Sequence, residues 1–408
     1  MSRSIVVTGL GLQSPHGEDP QAVFAALCRG ESAVHEVLAG ELPRPAAAAT
    51  VAFDAMRWFT KLQLAGVDRV SQLAVAAADL AMQDAGRPEG LDPTRLGVFV
   101  GCGMGGGAAI EHAYRVGVAG GRVPPLTIPA FMPNAPAAHV ALRQRAQGPV
   151  LSYAVACASS AVAIGEALHA LSRGEIDLAL AGGSEALIVP GVVAAWQAMQ
   201  TLAEFAPGVP DAAARACRPF AADRCGFVLG EGAAFLVLEP EAQARARGAR
   251  VHGRLLGYGT SCDASHLTKP DAGGQARALA AALRMAGLQP ADVGYCNAHG
   301  TATKVGDVVE AQALAQVFGA ALPALRVSST KALHGHLLGA AGALEAIIAL
   351  RALQEQRLPP NMHGSAVEPQ CTLNLVREGD TAAPELQAVI SSSFAFGGTN
   401  AVLAFGRA

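Results

Sequence analysis

The chain contains the same succession of segments twice, and this internal repeat constrains its fold more than any single motif does. The apolar segment 5–11, IVVTGLG, resembles segment 255–260, LLGYGT. Segment 227–238, FVLGEGAAFLVL, lies over 394–405, FAFGGTNAVLAF, at a constant offset of 167 residues. Similar segments that recur in the same order indicate one structural unit built twice.

Helices and strands are predicted at matching positions of the two halves. In each half, a helix closed by a glycine precedes a short apolar strand: Ser71–Ala85, Gly86 and Val98–Val100 in the first, Gln275–Ala286, Gly287 and Val293–Asn297 in the second. Glycine is typical of helix C-termini, because it adopts the left-handed conformation without steric cost.

A second pair of helices is rich in small residues. One opens at Cys157 with the sequence CASSAVAIGEALHAL, and the other opens near His336 with HLLGAAGALEAIIAL. In the first, residues at helical spacing share one apolar face, namely Ala161, Ile164, Leu168 and Leu171. Both helices are therefore predicted to pack closely against their neighbours.

The repeat predicts the domain organisation and the fold class. The first half carries the insertions Glu41–Gly66 and Ala119–Gly148, and the boundary is predicted in the charged stretch Glu239–Arg250. We therefore predict an N-terminal half over residues 1–245 and a C-terminal half over 246–408. Strands alternating with helices in two similar halves predict an α/β fold with two mixed sheets, helices outside them and helices between them. The functional site is expected where the halves meet.

Composition excludes several classes of protein. Hydrophobic residues make up 51% of the chain and charged residues 15%, with a net charge of −3, which excludes a largely disordered protein and a charge-driven nucleic-acid binder. No apolar run approaches the roughly 20 residues that a membrane-spanning helix needs. The first residues, MSRSIVVTGLG, read as a first strand and not as a signal peptide, so we expect a cytoplasmic protein.

Cys157 is the cysteine that we interpret as a candidate nucleophile. The eight cysteines show no CxxC spacing, so neither a zinc site nor a redox pair is indicated. Cys157 follows a mostly apolar run and opens a helix, where the positive end of the helix dipole favours the thiolate and lowers the pKa of the thiol. The alternative is a cysteine that serves only close packing.

The segment NAHGTATKVGD at 297–307 is a second candidate. His299 ends a predicted strand, and Thr301, Thr303 and Asp307 follow it. A histidine in this position can project into a cavity, where the threonine hydroxyls would supply hydrogen bonds to a polar ligand. The alternative is a loop histidine with the threonines as local caps.

The segment SSTKALHGHLLGAAGALE at 328–345 places Lys331, His334 and His336 before a helix that carries Glu345. Neutral imidazoles can donate hydrogen bonds to a developing oxyanion, and Lys331 with Glu345 could orient them. A His-x-His pair also suggests a metal. We discount a metal because no acidic or sulfur ligand has the required spacing nearby.

Two glycine-rich segments remain. In SSSFAFGGTN at 391–400, Gly397 and Gly398 permit unusual backbone angles, so the amide of Phe396 could act as an oxyanion donor; a plain hairpin turn is the alternative. The segment GCGMGGG at 101–107 lacks the spacing and the distal acidic residue of a dinucleotide fingerprint, so we reject nicotinamide binding.

Taken together, VACASS with Cys157, NAHGTAT with His299, STKALHGHLLGAAG with His336, and FAFGGTN resemble the decarboxylating β-ketoacyl-acyl-carrier-protein synthases. The resemblance extends through the whole chain and includes GGSEA at 182–186 and PFAADRCGFVLGEGAAFLVLE at 219–239. It implies the thiolase fold, a duplicated five-layer αβαβα arrangement, and usually a homodimer.

The resemblance also implies a role for each position that matches. Cys157 would accept an acyl group from the phosphopantetheine thioester of an acyl carrier protein, with its carbonyl oxygen between the backbone amides of Cys157 and Phe396. His299 and His336 would promote decarboxylation of the malonyl thioester. Lys331 would be the fourth catalytic residue, supported by Glu345 and Asp307. Substrate-binding roles would fall to Thr268, Thr301 and Thr303, and to Phe396 and Gly397 at the gate. No metal or resident cofactor is implied.

Relatives with other activities are separated by single residues. A thiolase would carry a second cysteine where this chain has FGGTN, and a starter-condensing synthase would have asparagine in place of His336. Cys225, His334 and Ala395 depart from the pattern of the family and leave an alternative: a chain-length partner subunit of a heterodimer with little activity of its own.

Because the carrier protein of such systems is acidic, a basic rim is predicted at the mouth of the pocket, for which Arg57, Lys61 and Arg69 are candidates.

Overall fold

Strands and helices alternate along the chain, and the computed structural model describes residues 3–88, 90–364, 366–383 and 385–408. Met1 and Ser2, with which the first predicted half opens, lie outside the described residues. The strands are β1 Ile5–Gln13, β2 His35–Val37, β3 Ala46–Ala49, β4 Leu96–Gly101, β5 Val150–Tyr153, β6 Leu178–Glu185, β7 Leu229–Gly230, β8 Gly232–Pro240, β9 Gly253–Cys262, β10 Val293–Asn297, β11 Arg326–Ser328, β12 Asn374–Leu375, β13 Ala388–Phe394 and β14 Thr399–Gly406. The helices are α1 Pro20–Cys28, α2 Arg69–Asp84, α3 Gly107–Val118, α4 Thr127–Phe131, α5 Ala135–Gln144, α6 Ser159–Ser172, α7 Pro190–Ala198, α8 Glu241–Ala246, α9 Ala272–Ala286, α10 Gly306–Phe318, α11 Lys331–His334 and α12 Ala341–Glu355.

The two halves have sheets with the same strand order, which confirms the duplicated α/β fold. The first sheet runs β1-β8-β6-β4-β5, and the second runs β9-β14-β13-β10-β11 with β12 added at its edge. The first sheet is mixed, since β4 pairs in parallel with β5 and β6 while β8 pairs antiparallel with β1 and β6. The second is mixed in the same way, since β10 pairs in parallel with β11 and β13 while β14 pairs antiparallel with β13 and β9. A short pairing of Val6 and Val7 with Arg254 and Gly253 joins the two sheets into one continuous ladder.

Helices α6 and α12 lie between the two sheets and form the middle of five layers. They pack against each other and against strands of both sheets, while α2 and α5 cover the outer face of the first sheet and α9 covers that of the second, with α10 beside it. Small residues make this close packing feasible. A Cβ on Gly165 would lie 2.4 Å from the ring of Tyr258, and one on Gly342 would lie 2.9 Å from Ala161.

Side-chain caps move the ends of the predicted helices by a few residues. The helix predicted at 71–85 begins at Arg69, because the side chain of Asp68 accepts a hydrogen bond from the N–H of Val70. The helix predicted at 275–286 begins at Ala272, because Asp271 caps it through the N–H of Gly274. The two small-residue helices are each preceded by a 3₁₀ turn, at Ala156–Ala158 and at Leu338–Ala340.

The insertions of the first half fold as separate small elements. Residues 41–66 contain β3 and a 3₁₀ turn at Ala55–Arg57, and residues 119–148 contain α4 and α5. Among the described residues, no helix has the length and apolar character required to cross a membrane. Because the two halves are equivalent and α6 and α12 pack against each other, the ends of β4 and β10 and the starts of these two helices lie around one central region.

Candidate active site

Cys157 lies on a sharp turn between β5 and α6. Ala156, directly before it, has a φ of +45°, a conformation that residues with a side chain rarely adopt. The hydroxyl of Ser159 holds this turn: it accepts a hydrogen bond from the N–H of Val155 at 2.8 Å and donates one to the carbonyl of Ala156 at 2.7 Å. The turn places the thiol at the end of the central helix, where it faces the second half of the molecule.

Burial raises the pKa of the Cys157 thiol to about 12. The positive charge of Lys331 lowers this pKa, while the negative charges of Glu185 and Glu345 raise it further. The sequence-based expectation of a lowered pKa was wrong in direction, because the cost of burying a thiolate among Leu338, Phe227 and other apolar side chains exceeds the favourable helix dipole. The resting thiol of Cys157 is therefore neutral.

His336 contacts the thiol directly. Its Nε2 lies 3.0 Å from Sγ of Cys157, and its Nδ1 accepts a hydrogen bond from the N–H of Leu338 at 3.3 Å. Because Nδ1 is the acceptor, the neutral ring carries its proton on Nε2 and donates it towards the sulfur. Burial lowers the pKa of His336 well below its ordinary value, and the charge of Lys331 lowers it further, so the imidazole is neutral at physiological pH.

His299 completes a trio around one point. Its ring lies 5.4 Å from that of His336, edge to face, and burial lowers its pKa well below the ordinary value. The buried carboxylate of Glu310 fixes the loop that carries it, accepting the N–H groups of His299 at 2.8 Å and Gly300 at 2.7 Å. One ligand atom from each of Cys157, His299 and His336 lies within 4.8 Å of the others.

A thiol and two imidazoles at these distances are also a donor set that zinc accepts. The positive charge of Lys331 lowers the pKa of Cys157, His299 and His336 alike and so acts against a cation between them. The negative charges of Glu185 and Glu345 act in the opposite direction at the thiol.

Lys331 and Glu345 form a completely buried ion pair behind the trio. Nζ of Lys331 contacts Oε1 of Glu345, and neither side chain is exposed to solvent. Burial raises the pKa of Glu345 to about 7, and Lys331 lowers it. Neither residue lines the cavity, so their effect on the trio is electrostatic and steric.

The trio opens into a cavity of about 1160 Å³. Five of the residues predicted to contact substrate or to support the site line it, together with Cys157, His299 and His336: Thr268, Thr301, Thr303, Asp307 and Phe396. Thr301 and Thr303 face each other with hydroxyl oxygens 3.1 Å apart. Gly397 is not part of the lining; it has a φ of +88°, and its N–H donates to the carbonyl of Leu267 at 2.7 Å.

Asp307 lies at the start of α10, completely buried. It accepts the N–H of Phe220 at 2.7 Å, and burial raises its pKa to about 6, which the charge of Arg224 at 3.9 Å counteracts. The carboxylate thus ties the segment before β7 to the loop that carries His299. This contact is structural support for the site.

Comparisons with known proteins agree with this architecture. Residues 2–244 match the family model "Beta-ketoacyl synthase, N-terminal domain", and residues 252–365 match "Beta-ketoacyl synthase, C-terminal domain". The chain is 36% identical to 3-oxoacyl-[acyl-carrier-protein] synthase 2 of Staphylococcus aureus strain N315 over 99% of this chain and 98% of that protein. It is 40% identical to nodulation protein E of Rhizobium meliloti over 99% of each. The chain belongs to the β-ketoacyl synthase family.

A solved structure also resembles this β-ketoacyl synthase. The ishigamide ketosynthase/chain length factor superimposes with a TM-score of 0.91 at 32% identity, and each chain is covered completely. A likeness over the full length confirms the thiolase-type fold that the sequence resemblance implied.

Three residues of this β-ketoacyl synthase site were missed by the sequence reasoning. Glu310 holds the backbone of His299, Glu185 lies behind the turn that follows His336, and Trp196 lines the cavity. A carboxylate that accepts hydrogen bonds from backbone amides belongs to no recognisable residue spacing, so the sequence gives no sign of its role.

The ring of Trp196 lies 6.1 Å from that of Phe396 and 5.4 Å from that of Phe227, so three aromatic rings flank the approach to Cys157.

The predicted basic rim needs correction. Arg69 is bound by the buried carboxylate of Glu231 at 2.6 Å, Arg57 pairs with Glu18, and neither these arginines nor Lys61 lines the cavity. The part of the insertion that carries Arg57 and Lys61 packs through Phe59 against α2 and does not line the cavity. The exposed cations that do line the mouth are Arg44, from an earlier part of the same insertion, and Lys269 and Lys304 from the second half.

Proposed function

We propose that this β-ketoacyl synthase elongates an acyl chain by decarboxylative Claisen condensation on an acyl carrier protein, with Cys157 as the nucleophile. The observation that carries the proposal is the contact of 3.0 Å between Sγ of Cys157 and Nε2 of His336, with His299 beside them in the same cavity. A neutral thiol between two neutral imidazoles suits a reaction in which charge develops on the substrate and not on the resting site.

The first step is an exchange of thioesters. Sγ of Cys157 attacks the acyl carbonyl, a new carbon–sulfur bond forms, the bond to phosphopantetheine breaks, and the pantetheine thiol leaves with the proton. The backbone N–H groups of Cys157 and Phe396 are proposed to bind the oxyanion. In support, the N–H of Cys157 lowers the pKa of its own thiol, so this amide lies beside the reacting atom.

The second step is decarboxylation and condensation. The malonyl thioester loses carbon dioxide, and the electron pair of the broken bond passes into an enolate whose oxygen accepts hydrogen bonds from His299 and His336. The enolate carbon then attacks the acyl group on Cys157, a carbon–carbon bond forms and the carbon–sulfur bond breaks. The thiolate that leaves accepts a hydrogen bond from the Nε2–H of His336 and takes up a proton from solvent, which restores the thiol. Both imidazoles are held neutral by burial and by Lys331, and each can donate a hydrogen bond in this form.

The remaining predicted residues are proposed to position the substrates. Thr268, Thr301 and Thr303 would bind the pantetheine arm, since all three line the cavity and two have facing hydroxyls. Phe396 would gate the acyl chain, and Gly397 would let its loop move, because a φ of +88° is free of strain only for glycine. Lys331 and Glu345 would support the trio from behind, and Asp307 would support it from the wall of the cavity. The protein itself is proposed to hold no metal or cofactor.

The acyl carrier protein is the proposed substrate-carrying partner, and it would dock at the mouth of the cavity. Arg44, Lys269 and Lys304 are exposed there and would attract an acidic surface. The proposed location is the cytoplasm. We keep residues 1–245 and 246–408 as the proposed halves, because β8 ends at Pro240 and β9 begins at Gly253.

A second copy of this chain is the proposed partner at the edge of the first sheet. Strand β5 is the terminal strand there, and Val150 and Leu151 are 38% and 45% exposed. An exposed apolar edge strand readily pairs with another chain. Light scattering of the purified protein should give the mass of a dimer, and Leu151→Lys should shift the mass towards that of a monomer.

The proposed reaction is tested with acyl- and malonyl-carrier protein. The wild type should form a β-ketoacyl product and carry the acyl group on Cys157 in intact-mass spectra, and Cys157→Ala should do neither. Cys225→Ala is the matched control, because its thiol lines the same cavity away from the trio and its loss should leave both signals unchanged. Absence of acylation with every chain length would overturn the proposal.

The alternative, a chain-length partner subunit, rests on the departures at Cys225, His334 and Ala395. The solved ishigamide structure contains such a partner, which supports testing it. In a reconstituted pair with a second synthase, Cys157→Ala would then leave the activity of the pair unchanged. Loss of activity in that pair favours the catalytic role.

A further inference from the structure

Glu185 is a completely buried carboxylate that no step of the proposed reaction uses. It ends β6, and its Oε2 accepts hydrogen bonds from the N–H of Gly103 at 2.7 Å and of Gly339 at 3.1 Å. Its Oε1 has longer contacts with the N–H of Met104 at 3.4 Å and the thiol of Cys102 at 3.7 Å. None of these partners is a cation; burial raises the pKa of Glu185 to about 7, and the backbone N–H groups lower it.

The two segments that Glu185 binds come from different halves of the chain. Gly103 follows β4 in the first half, and Gly339 lies in the 3₁₀ turn Leu338–Ala340 of the second half. The fit is close enough to require glycine at both places. A Cβ on Gly103 would lie 2.5 Å from Oε2, and a Cβ on Gly339 would lie 2.6 Å from the same atom.

The turn that Glu185 holds also sets the orientation of His336. Leu338, which has a φ of +47°, opens this turn, and its N–H is the donor to Nδ1 of His336 at 3.3 Å. The conformation is strained for a leucine, so it persists only where neighbouring contacts impose it. The bond from Gly339 to Glu185 is such a contact, one residue away from the donor to the imidazole.

We propose that Glu185 is a positioning residue for the condensing reaction: by fixing the Leu338–Ala340 turn, its carboxylate holds His336 in the tautomer that presents Nε2–H to Cys157. Glu185 does not line the cavity and so acts through His336. Its effect on rate rests on the proposed function. The tautomer of His336, in contrast, is a property of the protein without substrate and can be measured whether or not that function holds.

The experiment compares Glu185→Gln with Asp68→Asn in the full-length protein. Asp68 is a matched control, because it is another buried carboxylate that accepts backbone N–H groups, those of Val70 and Ala109, without touching the turn. Histidine side chains are labelled with ¹⁵N, and the His336 signals are assigned by their loss in His336→Asn. Thermal unfolding and decarboxylation of malonyl-carrier protein are measured for each variant.

The wild type and Asp68→Asn should show the Nε2–H tautomer at His336 alone. Glu185→Gln should show a mixture of tautomers and about 10-fold slower decarboxylation, because a displaced hydrogen-bond donor no longer meets the developing oxyanion. Glu185→Asp retains a carboxyl group on a shorter side chain and should give an intermediate mixture if the glutamine variant does not fold. An unchanged tautomer in folded Glu185→Gln or Glu185→Asp would overturn the proposal, whereas a shifted tautomer with no decarboxylation in the wild type would overturn only the proposed function.

Discussion

Nζ of Lys331 lies against Oε1 of Glu345 with both side chains fully buried, directly behind Cys157 and the two histidines. The pair is more than a structural contact, because the lysine charge lowers the pKa of the thiol and of both imidazoles. The lysine charge therefore acts together with burial to keep both histidines neutral, the form that the proposed reaction uses, and it partly offsets the effect of burial on the thiol.

Removing one partner of this pair should destabilise the protein strongly. Lys331→Met leaves the carboxylate of Glu345 buried without a cation, and breaking such a pair typically costs about 3–5 kcal/mol of unfolding free energy. Urea unfolding measures the loss. The exposed pair Arg173–Glu175 is the control, and Arg173→Met should leave the unfolding midpoint unchanged. Equal unfolding midpoints for Lys331→Met and the wild type would contradict the prediction that Lys331 stabilises the fold by pairing with Glu345.

His334 should make the fold sensitive to acid without taking part in the reaction. Burial lowers its pKa to about 3, and its nitrogens contact the carbonyl of Gly335 and the hydroxyl of Thr330. In the unfolded state, His334 takes up a proton near pH 6.5, whereas in the folded state it stays neutral. The contribution of neutral His334 to the free energy of unfolding is therefore fully present above about pH 6.5. It is lost as the pH falls below that value, by about 1.4 kcal/mol per pH unit.

Comparison of wild type with His334→Gln isolates this contribution. The unfolding free energies of the two proteins should converge as the pH is lowered from about 7 to about 5, because only the wild type loses the contribution of His334. The exposed His112 supplies a control, and His112→Gln should follow the wild-type curve. Parallel curves for wild type and His334→Gln would show that His334 is not held neutral.

Trp196 should restrict which acyl groups reach Cys157. Its ring packs against those of Phe396 and Phe227 in the cavity, so Trp196→Ala opens space beside the gate. We expect the ratio of kcat/KM for a branched acyl group to that for a straight one to rise about 10-fold. Trp58, which does not line the cavity, is the control. The same ratio in Trp196→Ala and Trp58→Ala would exclude this restriction.

Charge at the mouth of the cavity should govern docking of the carrier protein. Reversal of Lys269 and Lys304 to Glu should raise KM for carrier-bound substrate about 5-fold with little change in kcat. The effect should shrink at high salt, since screening shortens from about 10 Å at 0.1 M to about 3 Å at 1 M. Lys61→Glu lies away from the mouth and should behave as wild type. A rise in KM for a substrate on free pantetheine would indicate damage to the cavity instead.

Local patterns were sufficient to predict the elements around the site. Strand β10 occupies Val293–Asn297 as predicted, because its apolar run is bounded by turn residues. Helix α9 ends at Ala286 and is closed by Gly287 as predicted, with a φ of +68° at the glycine. The convergence of Cys157 and His336 followed from the repeat, since equivalent elements of two similar halves meet at one axis.

Contacts between distant segments could not be predicted in the same way. Glu185 and Glu310 bind backbone amides, which every residue carries, so no residue type marks their partners. The location of the basic mouth was misplaced for a related reason, because Arg69 is committed to Glu231 across 162 residues of chain.

The sequence by itself determined the duplicated α/β plan, the family and the candidate trio of Cys157, His299 and His336, because these depend on periodicity and on motifs that are local in the chain. The tertiary structure alone decided the electrostatics: it made the thiol neutral, the imidazoles neutral and Lys331 buried beside Glu345. Burial and the distance to a charge set these properties, and neither is defined until the two halves have packed together.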